Sequence, residues 1–261
     1  MKQKNRPEAV FDLPYHLVSL DSIAGNDDNG RMKCYPGGKS GAGVYQKLIN
    51  LIPPHSTYIE THLGGGAVMD YKRPATTNIG IDVDSMLVEA WKRETLEFPI
   101  TLVCEDAVSF LKRYSFDGTE FVYADPPYLL DTRRGGKLYR HEYTKEQHVK
   151  LLSCLKKLPC RVMISGYWSK LYATTLSQWR TVSFQAQTRS GTPATEWVWL
   201  NYPQSIELHD YRYLGNTFRE RERIKRKKER WINRLKKMPR LERQALLASL
   251  DEVSFGQHHQ K

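Results

Sequence analysis

The sequence holds 261 residues, 40% of them apolar with six Trp and fifteen Tyr, enough for one good-sized domain with an appendage or for two small domains. Its formal net charge is +11, and between Arg212 and Arg243 fourteen Lys and Arg stand against four Glu, a basic stripe whose favoured partner is nucleic acid. The four cysteines show no C-x-x-C spacing and no matching His pair, so no metal site is expected; no stretch suits a signal peptide or a membrane span, and a soluble protein of a reducing cytosol is the expectation.

Residues 1–30 carry no periodic signal and are expected to be loose. From Thr57 strand and helix alternate. TYIETH (57–62) reads as a strand, followed by a glycine-rich turn that opens a helix over Ala67 to Lys72. NIGIDV (78–83), TLVCED (101–106) and EFVYAD (120–125) read as three further strands, separated by helical DSMLVEAWKRE and AVSFLKRY. Thr144 with Gln147 forms a capping-box pattern opening a helix through Lys157, and CRVMISGY (160–167) is a fifth strand. After the short helix SKLYATTL, the segments RTVSFQAQT and TEWVWLNYP flank the turn-rich RSGTP and read as a β-hairpin at the sheet edge. The pattern predicts an α/β fold, a doubly wound parallel sheet ending in an antiparallel hairpin, over residues 31–203. Residues 204–261 read as a basic helical extension: Thr217 and Glu220 make a second capping box, and Pro239 suits the first turn of a further helix.

In doubly wound sheets, ligands sit at the carboxyl edge of the strands. Four features fall there. The turn Gly64, Gly65 and Gly66 lets backbone approach a ligand, with Glu60 placed to receive a cationic group. Asp82 ends the second strand where a carboxylate can accept from a ribose diol; Asp84 is the runner-up and could instead cap the next helix. Asp106 could contact an adenine ring or cap its own helix. The fourth feature is Asp125-Pro126-Pro127-Tyr128, a pattern expected by chance in about one chain in a hundred of this length. Its carboxylate and the first proline carbonyl make two acceptors for an exocyclic amine, and the tyrosine offers a face for a flat base.

Taken in order, YPGGK (35–39), YIETHLGGGAV (58–68), GIDVD (80–84) and ADPPY (124–128) resemble the Dam-like (D12 class) N6-adenine-specific DNA methyltransferases of phage and prophage type. The likeness extends through SGYWSKLY and TEWVWLNY. It implies a Rossmann-like methyltransferase fold, S-adenosyl-L-methionine as cofactor, and double-stranded DNA as partner, with no membrane. Tyr35, Lys39, Glu60, Gly64 to Gly66, Asp82, Asp106 and Asp125 would line the cofactor. Asp125, Pro126, Pro127 and Tyr128 would hold a flipped base. A cytoplasmic, nucleoid-associated enzyme of restriction-modification or phage origin is the implied setting.

One departure concerns DNA recognition. Well-known relatives carry a recognition insertion between the third and fourth strands, whereas here Asp106 and Asp125 leave room for one helix only. The candidates for DNA contact are therefore Arg133, Arg134, Tyr139 and Arg140 in the loop after the motif, and Arg223, Lys225, Arg226, Lys227, Lys228 and Arg230 in the extension. An N4-cytosine methyltransferase and a non-catalytic DNA-binding protein are the alternatives, and neither target sequence nor oligomeric state is legible.

Overall fold

The computed structural model describes residues 38–41, 43–133, 139–187 and 193–256. Seven strands form one sheet: β1 (Thr57–Glu60), β2 (Thr77–Asp82), β3 (Thr101–Cys104), β4 (Glu120–Ala124), β5 (Arg161–Gly166), β6 (Arg180–Gln187) and β7 (Pro193–Leu200). Their order is β3-β2-β1-β4-β5-β7-β6, all parallel except β7, which runs antiparallel to both β5 and β6. This is the doubly wound α/β arrangement, a mostly parallel sheet ending in an antiparallel hairpin, that the sequence predicts. The hairpin's second strand starts earlier than expected, at Pro193 rather than Thr195.

The central strands are buried on both faces, which is why they read as unbroken apolar runs. Ile59, Val122, Ala124, Val162 and Ile164 pack one face against Phe110 of α4 (Ala107–Arg113), Leu151 and Leu155 of α5 (Lys145–Leu155) and Tyr172 of α6 (Lys170–Thr175). Tyr58, Phe121, Tyr123 and Met163 pack the other against α1 (Val44–Ile49), α2 (Ala67–Tyr71) and α3 (Ser85–Arg93). The helix α1 has no counterpart among the expected elements; it supplies Val44, Leu48 and Ile49 to the core. Thr144 caps α5 with both halves of the expected box.

Beyond the sheet, residues 204–217 are fastened to the loops that follow α1 and α2. His209 N–H donates to the Ile52 carbonyl at 2.9 Å and its ring stacks on His55, while Asp210 accepts from Arg73 N–H at 2.8 Å. The basic helices follow as α7 (Phe218–Lys237) and α8 (Arg240–Gly256). Thr217 caps α7 as expected, but Glu220 closes the box one residue early, on Asn216 N–H. Pro239 stands just ahead of α8 rather than inside its first turn.

Candidate active site

β1 lies between β2 and β4, so the chain departs in opposite directions from these neighbours and opens a crevice at their carboxyl ends. Glu60 ends β1, Asp82 ends β2 and Asp125 follows β4, which brings three of the expected carboxylates to that edge. The glycine turn stands beside them. Gly64 and Gly66 have φ of 47° and 55°, the left-handed region glycine enters without strain. A Cβ on Gly66 would come 2.3 Å from the Trp91 ring, whose indole N–H donates to the Gly64 carbonyl at 2.9 Å. Trp91 of α3 thus packs directly against the turn. Asp82 clamps it from below: Oδ2 accepts from Gly64 N–H and Oδ1 from Asp84 N–H, both at 3.0 Å.

Asp84 and Asp106 both cap their helices. Asp84 accepts from Met86 N–H at the start of α3, and Asp106 accepts from Ser109 N–H and its hydroxyl at the start of α4. Glu60 is buried, and its Oε2 accepts from the Tyr58 hydroxyl at 2.9 Å. Burial raises its carboxyl to about 8, with the nearby Asp125 charge pushing in the same direction.

Asp125 sits at the centre of a dense polar cluster. Its Oδ2 pairs with the Lys39 ammonium at 2.7 Å, and its Oδ1 accepts from the Ser165 hydroxyl at 2.6 Å. The Tyr128 hydroxyl lies 3.2 Å from the same Oδ1 and 2.7 Å from Glu196 Oε2. Burial alone would lower the Lys39 ammonium, but the Asp125 and Glu196 carboxylates outweigh it and hold its pKa above the usual lysine value. Tyr128 is buried, with Lys39 Nζ 4.9 Å from its ring centroid and Tyr167 edge-on at 4.7 Å. Pro126 is buried too, and among the described residues no donor reaches its carbonyl.

Sequence reasoning missed Glu196, Ser165 and His62. Glu196 shares the inner face of β7 with Val198 and Leu200, and a charge on an otherwise apolar strand face was a readable signal. His62, just past β1, meets the Tyr143 hydroxyl at 3.0 Å through Nε2 and is held neutral by burial, which lowers it to about 4.

Tyr35, expected at the cofactor, lies outside the described residues. Of the residues expected to touch DNA, Arg134 does too. Arg133 is only 8% exposed and is ion-paired with Glu142, whose Oε1 also accepts from Tyr139 N–H at 2.9 Å; Arg133 therefore braces the loop instead of facing solvent. Arg140 is 63% exposed and 3.7 Å from Asp84. On α7, Arg223, Arg226, Lys227, Lys228 and Arg230 are exposed, while Lys225 is half-buried. Arg219, Arg223, Arg226 and Arg230 follow the spacing of one helical face, opposite Ile224, Trp231 and Leu235.

No family model matches the chain, and no curated protein matches it. Among solved structures, the N-methyltransferase NodS from Bradyrhizobium japonicum WM9 is 14% identical, with 61% of this chain and 94% of that one covered at a TM-score of 0.43. The 23S rRNA methyltransferase ErmE is 12% identical, covering 63% and 67% at 0.41. A dimethyladenosine transferase from Plasmodium falciparum is 14% identical, covering 61% and 60% at 0.38. At such scores the likeness says nothing about chemistry, which has to come from the site itself.

Proposed function

We propose that the chain transfers a methyl group from S-adenosyl-L-methionine to the N6 amine of adenine in double-stranded DNA. The observation that carries this reading is the acceptor pair after β4: a partly buried carboxylate, Asp125, followed by the Pro126 carbonyl with no partner among the described residues. Two acceptors in sequence suit a group with two N–H donors, and a carbonyl on a buried residue gains by a ligand that completes it. The glycine turn and Asp82 at the end of β2 suit an adenosine-bearing cofactor, as Glu60 suits its cationic amino group.

When bound, the cofactor supplies an electrophilic methyl on a sulfonium. Asp125 and Pro126 accept the two N–H bonds of the target amine and favour a nitrogen lone pair free to attack. The methyl would come from the cofactor's sulfonium, which would be left as a neutral thioether, so Asp125 and Pro126 need only hold the amine in line with it. The surplus N–H proton leaves towards Asp125, the nearest base. Positioning and fixed charges provide the acceleration. The Tyr128 ring replaces stacking lost when the base leaves the duplex, and the arginine face of α7 holds phosphates.

Nucleoside mass spectrometry of duplex DNA incubated with methyl-labelled cofactor tests the reading. Label in N6-methyladenine is the expected result; label in N4-methylcytosine would favour the related cytosine activity, which the same acceptor pair could serve.

A further inference from the structure

Glu196 belongs to the antiparallel hairpin, 68 positions from Tyr128, yet it makes the shortest contact of the Tyr128 hydroxyl. That hydroxyl carries one proton and lies between two carboxylates, 2.7 Å from Glu196 Oε2 and 3.2 Å from Asp125 Oδ1. The shorter contact takes the proton. Two consequences follow for the site. The ring of Tyr128, which neither proline can fix beyond its backbone, is tethered at its far end to a strand of the sheet. In addition, the hydroxyl is drawn off Asp125 Oδ1, which already accepts from Ser165 at 2.6 Å. Were Glu196 absent, Tyr128 would donate to Asp125 and occupy an acceptor position the target amine needs. The environment supports this division of labour: Glu196 is 8% exposed, and the Lys39 ammonium lies over the ring, 4.9 Å from its centroid.

We infer that Glu196 is a positioning residue, which fixes the Tyr128 ring by accepting its hydroxyl proton and thereby keeps Asp125 available as an acceptor. The geometry stands by itself; its consequence for catalysis rests on the methyl-transfer reading above.

The test uses three variants of the full chain, Glu196→Gln, Glu196→Leu and Tyr128→Phe, with the Glu196→Leu/Tyr128→Phe double variant. Glu196→Gln keeps an acceptor oxygen without the charge, so kcat for DNA methylation should stay within about threefold of the parent. Glu196→Leu removes the acceptor and should lower kcat about tenfold or more, at unchanged cofactor affinity. In the Tyr128→Phe background the same leucine change should add less than about twofold, because both act through one hydroxyl. Additive losses, or a glutamine variant as impaired as the leucine one, would overturn the inference. A second readout needs no activity. In protein labelled with 3-fluorotyrosine, the Tyr128 fluorine signal, assigned by its loss in Tyr128→Phe, should be narrow in the parent and in Glu196→Gln. It should broaden or shift in Glu196→Leu, and an unchanged signal there would refute the tether. If the parent methylates no adenine, the proposed function fails while the fluorine signal still decides the role of Glu196.

Discussion

Lys39 and Asp125 form a buried ion pair at 2.7 Å, with side chains 7% and 16% exposed, so the central carboxylate of the site carries its own counter-charge before any ligand arrives. Removing one member of a buried pair strands the other, a loss that commonly reaches several kcal/mol. Lys39→Met should therefore lower unfolding free energy by about 2–4 kcal/mol in urea titrations. The folded ammonium titrates above its unfolded value of 10.5, so this contribution is fully present below that pH and is lost only as pH rises through the folded value. The deficit of the variant should accordingly be constant from pH 6 to 9.

Glu60 gives a pH signature to cofactor binding. Burial raises its folded carboxyl from 4.5 to about 8, so at neutral pH the free protein holds a proton there. A cationic amino group arriving beside it favours the ionised form and expels that proton. Affinity for S-adenosyl-L-methionine should rise with pH up to about 8, and calorimetry in buffers of differing ionisation enthalpy should detect proton release near pH 7. Glu60→Gln should abolish both effects. The same raised pKa stabilises the fold below pH 4.5, and that stabilisation disappears as pH climbs through about 8; the stability difference between parent and Glu60→Gln should shrink over that window.

Gly66→Ala is expected to damage turn and binding together. At φ of 55° a side chain is strained, and its Cβ would stand 2.3 Å from the Trp91 ring. Thermal unfolding should show a loss of about 2 kcal/mol or more, and cofactor titration should show the affinity reduced at least about tenfold.

The basic residues should separate by salt dependence. Replacing Arg219, Arg223, Arg226 and Arg230 together with Ala should flatten the slope of log affinity for DNA against log salt by about 0.9 for each phosphate contact removed. Cofactor binding should not change. Arg133→Ala should leave that slope intact and lower stability instead, because its guanidinium is buried against Glu142. Gel-shift titrations between 50 and 200 mM salt, on the order of the range over which such contacts weaken, distinguish the two sets.

The strands and the edge motifs were legible because both depend on local sequence. Unbroken apolar runs such as FVYA announce a strand covered on both faces, and an acid or glycine cluster at the end of each run marks the ligand edge. The helix α1 was not legible: it spans six residues, shorter than the windows in which helical periodicity shows, and glycine precedes it. Nor was the status of Arg133, since charge alone does not distinguish a solvated arginine from one paired with a glutamate nine residues on. Glu196 reaches the site only because β7 returns antiparallel beside β5, a pairing between segments far apart in the chain. Its partner could be assigned only once that register was known.

In the proposed reaction Asp125 serves as an acceptor for the amine being methylated. The most direct measurement incubates duplex DNA and methyl-labelled S-adenosyl-L-methionine with the parent and with Asp125→Ala, then quantifies labelled nucleosides by mass spectrometry. The parent should yield N6-methyladenine and the variant at least about 100-fold less, with DNA binding retained. Parent-level N6-methyladenine from Asp125→Ala, or no labelled adenine from the parent, would contradict it.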